Sequence, residues 1–173
     1  MANPNKARGT AWESSVRNFL NGSLGLVDET GRFLDPWNPR NVRRPAQEGW
    51  ADVGDVHAPP FVIEAKDVRA PAVPTWLRQA RVEARHAGFP FGVVVHKSRG
   101  LGAGAGRVHF DVRTWTRTRT ALGLPTRAMF ERYGFAASLR GLDTGRWYLT
   151  TTVDQFARIL ADMHRAGVPR AVR

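Results

Sequence analysis

The chain has 173 residues, with 26 Lys or Arg against 15 Asp or Glu, so its formal net charge is +11. That charge is spread along the chain and should attract polyanions, nucleic acid first among them. The absence of Cys excludes disulfides, iron–sulfur clusters and thiolate zinc sites, and there is no apolar run long enough to cross a membrane.

In chain order, the first expected element is a helix over residues 10–20, with Trp12, Val16, Phe19 and Leu20 on its apolar face and Gly22 at its end. Residues 21–49 are rich in Gly, Pro, Asn and charge, and read as a long loop with one short strand near 25–28. Loops this long are often functional, and this one carries Arg40, Arg43 and Arg44. Two strands follow, over 51–56 and 61–66, separated by His57-Ala58-Pro59-Pro60, which must turn. After Pro71 and Pro74 a helix is expected over 75–87, stopped by Gly88. Phe91-Gly92-Val93-Val94-Val95-His96 reads as a strand buried on both faces.

Residues 98–107 form a Gly-rich segment expected to be a flexible loop, followed by a strand over 108–112. The alternation of Thr with Trp and Arg over 114–120 reads as an edge strand. A short helix over 126–133, a strand over 147–150 and an amphipathic helix over 152–166 complete the chain, the last burying Phe156, Ile159, Leu160 and Met163 behind a capping box of Thr152 and Gln155. The order predicts one α/β domain over residues 1–173, with a mixed central sheet flanked by helices. The polar start, Met1 to Arg8, lacks the apolar core of a signal peptide. With the missing Cys, this makes the cytoplasm the expected location.

The chemistry concentrates where the two early strands meet. On a strand over 61–66, Phe61, Ile63 and Ala65 point to one side and Val62, Glu64 and Lys66 to the other. An acid and a base thus share one face at the end of an apolar strand. A hairpin symmetric about Pro59-Pro60 sets Asp55 opposite Glu64, and opposed side chains on paired strands have Cβ atoms roughly 5 Å apart. Carboxylates that close repel unless a proton or a cation lies between them, and Mg²⁺ takes one or two carboxylates plus water and phosphate oxygens. Lys66 is also one of only three Lys among 26 cationic residues. A compact ammonium in a chain that otherwise uses Arg suggests a role Arg fills poorly.

Gly54-Asp55, followed by Glu64-Ala65-Lys66, resembles the signature of the PD-(D/E)xK nucleases. The resemblance implies a restriction-endonuclease-like core, phosphodiester hydrolysis, and Mg²⁺, replaceable by Mn²⁺, as cofactor. Its ligands would be Asp55, Glu64 and the main chain of Ala65, with Lys66 orienting water or stabilising charge. The stretch from Lys6 through Gly9 to Glu13 is similar to the opening helix of Holliday junction resolvases of archaeal and phage type, with a one-residue difference between Lys and Gly. In that family the helix glutamate completes the metal site, which implies the same for Glu13. Thr10-x-x-Glu13 also fits a capping box. Gln79, on the helix after the Glu-x-Lys strand, matches a Gln or Tyr that reaches the metal-bound water or a phosphate in such enzymes, and equally fits an ordinary surface position. The resemblance covers residues 6–96 and the closing strand and helix, and leaves 98–146 as an atypical insertion.

Branched DNA is the partner implied, cut by a homodimer because two strands need two sites; a phage-encoded enzyme would act in the host cytoplasm. The same residues also fit a restriction-like or repair nuclease for duplex or flapped DNA, or a DNA-binding protein that does not cut. Arg43 and Arg44 fall where relatives carry basic residues near the scissile phosphate. Lys97, Arg99 and Arg107 flank the Gly-rich loop, whose N–H groups could approach phosphates. Arg113, Arg117 and Arg119, with Trp115 between them, form a basic ladder suited to lining a duplex or stacking on a base, and equally fit a solvated edge strand. No Gly-Lys-Ser/Thr follows the glycines, so no nucleotide cofactor is expected. His57, His86, His96, His109 and His164 show no metal-ligand spacing.

Overall fold

The structure is a computed structural model that describes residues 4–46 and 52–168. The expected strand start at Ala51, residues 47–49 of the long loop and the side chain of Lys6 lie outside the described residues. Among those described, six strands form one mixed sheet in the order β1-β2-β3-β4-β6-β5. These are β1 (Val56–Ala58), β2 (Phe61–Lys66), β3 (Phe91–His96), β4 (Arg107–Asp111), β5 (Ala136–Ser138) and β6 (Tyr148–Thr152). β2 and β3 run parallel, joined by α2 (Val73–His86), and the other pairs are antiparallel.

The α/β architecture expected from the sequence is present. Strand alternation on β2 sends Phe61 and Ile63 into the main core, with Trp12, Val16 and Leu20 of α1 (Pro4–Ser23) and Phe156 and Leu160 of α5 (Val153–Arg165). Val62 meets Ala84 and Phe89 on the opposite side, beneath α2. Glu64 and Lys66 therefore emerge on the α2 side of the sheet. No helix among the described residues is long and apolar enough to cross a membrane.

α1 starts at Pro4, not at residue 10, because Pro suits a helix's first turn, where its missing N–H leaves no bond unmade. Thr10 lies inside the helix, so the capping-box reading of Thr10 and Glu13 does not hold. The helix ends in a Schellman arrangement around Gly25 at φ +63°: Leu26 N–H donates to Asn21 C=O at 2.9 Å and Gly25 N–H to Gly22 C=O at 3.1 Å. The following long loop is pinned rather than loose. Asn21 Nδ2 donates to Val42 C=O at 2.8 Å, Val42 N–H donates to Asn21 Oδ1 at 2.9 Å, and Arg43 bridges to His57 beside β1.

Further elements differ from expectation. β1 covers Val56–Ala58, so His57 and Ala58 belong to the strand and the turn narrows to Pro59-Pro60, while residues 52–55 lie outside any strand; β5 was not expected. Residues 114–120 lie in a helix, α3 (Val112–Ala121), not an edge strand. Asp111 caps it, accepting from Thr114 N–H at 2.6 Å. Thr114, Trp115 and Thr118 fill its inner face, so tertiary packing overrides the β-branched alternation. Where it meets α1, the Gly-rich segment is packed against the helix. It forms a 3₁₀ turn at Ala103–Ala105. A Cβ on Gly104 would stand 2.8 Å from the Phe19 ring, and one on Gly106 3.0 Å from Trp12 and Val153. Those glycines allow close packing. The remaining helix, α4 (Thr126–Tyr133), has the expected span and ends at left-handed Gly134. Residues 98–146 supply β4, α3, α4 and β5, and β4 lies between β3 and β6, so the stretch is part of the sheet's framework.

Candidate active site

The β1–β2 ladder runs from Ala58↔Phe61 to Val56↔Ile63 around Pro59-Pro60. One residue further, Asp55 leaves strict pairing: its N–H donates to Ile63 C=O at 3.1 Å, and its Oδ2 accepts from Ala65 N–H at 2.8 Å. The opposition expected from the hairpin is thus achieved by the side chain rather than by a further ladder pair. Asp55 follows Gly54, whose φ is +82°. A Cβ there would lie 2.3 Å from Val62 Cγ1, so only Gly lets the chain pass over β2 and deliver the Asp55 carboxylate beside Glu64.

Glu64 is buried. One of its oxygens, Oε1, accepts from both Lys66 Nζ and Gln79 Nε2, the latter at 3.0 Å. Burial, then the neighbouring Asp55 and Glu83 carboxylates, push the Glu64 carboxyl up to about 9, against the opposing pull of Lys66. Gln79 reaches inward from the exposed side of α2, so it is not an ordinary surface residue.

Glu13 comes from α1, one helical turn after Gly9. It forms an ion pair with Arg44 at 2.5 Å, made possible because Asn21 anchors Val42 two residues before Arg44. Burial and Asp55 raise the Glu13 pKa, while Arg44 lowers it. Asp55 thus acts electrostatically on both Glu64 and Glu13, and three segments distant in sequence converge.

Glu83 was not among the residues singled out from the sequence. It is 1% exposed, and its Oε2 lies over Gly54. Among the described residues neither oxygen accepts a hydrogen bond of ordinary geometry, although Gln79 and Glu64 lie close enough to lower its pKa. Burial, followed by Asp52, outweighs them and raises it. The available signal was its spacing: Trp76, Ala80, Glu83 and Ala84 form the buried stripe of α2, and an acid on such a stripe is rare unless paired.

The donor set suits a hard divalent cation. Asp55 and Glu64 offer oxygens close enough to act on one another, and both Glu83 oxygens lack a hydrogen-bond partner among the described residues. As the side chains stand, no three His, Asp or Glu groups among the described residues converge on one point. The Lys66 ammonium occupies Glu64 and the Arg44 guanidinium occupies Glu13, each standing where positive charge is needed.

The remaining expected contacts scatter. Arg43 turns away from the site, donating to Pro36 C=O and lying 4.6 Å from the Phe33 ring centroid. Lys97 and Arg99 pair with buried Asp67, at 3.0 and 3.3 Å. Arg107 is exposed at the start of β4. Arg113 and Arg117 lie together on the outer face of α3, whereas Arg119 turns back to donate to Leu124 C=O at 2.8 Å. Trp115 is 6% exposed and packs with Phe130 and Phe135, so it does not stack on a base. His96 and His109 are buried, His96 against Val68 C=O and His109 against the Thr150 hydroxyl, each at 2.8 Å. Burial, then His96, depress the His109 pKa to about 3.

Compared with known proteins, the chain matches no family model, no curated protein and no solved structure.

Proposed function

We propose that this chain is a divalent-metal-dependent DNA endonuclease of the PD-(D/E)xK type, with a four-way junction as its substrate and a homodimer as its working form. The observation that carries the reading is the convergence on buried Glu64 of an adjacent Asp55 carboxylate, the Lys66 ammonium and the Gln79 amide. The Gly9–Glu13 turn of α1, with Glu13 under the influence of Asp55, supports the junction-resolving form.

Asp55 and Glu64 would hold Mg²⁺ or Mn²⁺, with Glu13 and the main-chain carbonyl of Ala65 as further ligands. The bound ion would polarise phosphorus and acidify a water. Lys66, released from Glu64, presents its ammonium to the attacking water and to the charge that develops on phosphate oxygens. Gln79 keeps Glu64 oriented and offers a second N–H to a phosphate oxygen. The attacking water's oxygen bonds to phosphorus and releases a proton to solvent as one ester P–O bond breaks, and the leaving sugar oxygen takes up a proton from solvent.

A four-way junction, a flap and a linear duplex, each incubated with Mg²⁺ and with EDTA, test the reading. Cleavage of the junction is expected with Mg²⁺ alone, and Lys66→Ala is expected to slow it about 10²–10³-fold, as for loss of one charge-stabilising donor, while junction binding persists. If no substrate is cut under any condition, the nuclease reading fails. A linear duplex cut as fast as the junction would remove the resolvase assignment alone.

A further inference from the structure

α2 has two working flanks. Gln79 and Glu83 face the carboxylate cluster. Arg78, Arg81 and Arg85, spaced by three and four, lie on the other side of the helix, all exposed. There they face Arg113 and Arg117 of α3, also one turn apart. Between the helices run two clefts, of about 780 and about 300 Å³, which share Arg81, Arg113 and Arg117 as lining.

Two acids, Asp111 and Asp143, stand against these five guanidinium groups, and both have other duties. Asp111 caps α3 and lies 3.7 Å from Arg81, and Asp143 accepts from Gly145 N–H at 2.9 Å. Arg117 donates to Pro90 C=O at 3.0 Å through one of its five N–H donors and lies 5.2 Å from the Phe91 ring centroid. Among the described residues, Arg85 and Arg113 take part in no ion pair. The floor of the larger cleft is apolar, built from Leu77, Val112 and Trp147, and the Trp147 indole is held by its N–H to Gly141 C=O at 3.1 Å.

We propose that this cleft binds a single-stranded nucleic-acid segment, with phosphates on the arginines and an unpaired base against Trp147. A cationic rim matches a phosphate chain, and a flat apolar floor matches an unstacked base. A duplex keeps its bases stacked and would leave the floor unused. An acidic peptide offers carboxylates without a ring to cover it. The proposal rests on the nuclease reading only in taking nucleic acid as the polyanion, since the cleft lies across α2 from the carboxylates.

Fluorescence anisotropy with a labelled oligo(dT) strand, in EDTA so that nothing is cut, tests it. Arg85→Glu/Arg113→Glu is expected to weaken binding at least about 20-fold. It should also lower the slope of log affinity against log salt by about 1.4, the loss of two single-strand phosphate contacts. Trp147→Leu is expected to weaken binding about 5–10-fold, the lower end of a lost base–aromatic stack. Unchanged affinity in the double variant, whose two sites are exposed and whose fold is checked by thermal melting, would overturn the proposal. So would an equal loss for linear duplex, or competition by inorganic tripolyphosphate as effective as unlabelled oligo(dT). Mg²⁺-dependent cleavage is scored separately. Its absence would sink the nuclease reading and leave the cleft standing, whereas unchanged oligo(dT) binding would sink the cleft and leave cleavage standing.

Discussion

Glu64 holds its proton to about pH 9 in the folded chain, against an ordinary value of 4.5. Between those limits the unfolded chain releases a proton that the folded chain keeps, so this group's contribution to stability is present below about pH 4.5 and is lost as pH rises toward 9. In EDTA, the melting temperature is therefore expected to fall from pH 5 to pH 9, and Glu64→Gln should flatten that slope and melt higher than wild type at pH 8. Each 1 kcal/mol moves the melting temperature of a chain this size by about 2–4 °C. A wild-type melting temperature that rises over the same interval would contradict the burial argument. Gly54 bears on the same cluster through sterics. Gly54→Ala forces a Cβ to within 2.3 Å of Val62 at φ +82°, and should cost at least about 1–3 kcal/mol from overpacking, measured by urea denaturation. Glu64 and Lys66 were legible in the sequence because strand alternation alone assigns their face. Glu83 was not, because its spacing sets it on the buried stripe of α2 but does not show which acids from the turn before β1 and from β2 it meets there.

At the level of elements, β2 and α2 were readable because each carries its own period and stop signals. The 3.6-residue period located the stripe of α2, and Pro74 and Gly88 bracket it. α3 was misread because its Thr-rich alternation favours extended backbone locally, and the cap that reverses the preference comes from Asp111, outside the alternating run. Asp111→Ala is expected to cost about 0.5–2 kcal/mol through loss of that cap. It also frees Arg81 from the Asp111 carboxylate, so oligo(dT) should bind more tightly even as the melting temperature drops. Those opposite signs separate the two roles of Asp111, and parallel losses would deny the second. The loop after α1 shows a similar division. Its irregularity was plain in the sequence, but its attachment through Asn21 to Val42, which brings Arg44 to Glu13, depends on a contact 21 residues apart.

On the scale of the whole molecule, the net charge of +11 favours a polyanionic partner without locating where it would bind. Several of the arginines and lysines first suspected of meeting DNA are occupied by protein acids or carbonyls, while Arg78, Arg81 and Arg85 gain significance because α2 and α3 stand side by side. That juxtaposition has no trace in local spacing. Binding to any nucleic acid should still weaken steeply between about 50 and 200 mM salt, and a flat salt response would deny a phosphate-dominated interface. The scarcity of Lys has a practical consequence. Lys66 and Lys97 are half-buried, each held on an acidic side chain, and the chain contains one other Lys side chain. An amine-acylating reagent followed by peptide mass spectrometry therefore resolves the site residue by residue without any engineered label. Mn²⁺ should accelerate acylation of Lys66 by drawing Glu64 away from it, while Lys97, held on Asp67, keeps its rate and serves as the internal clock.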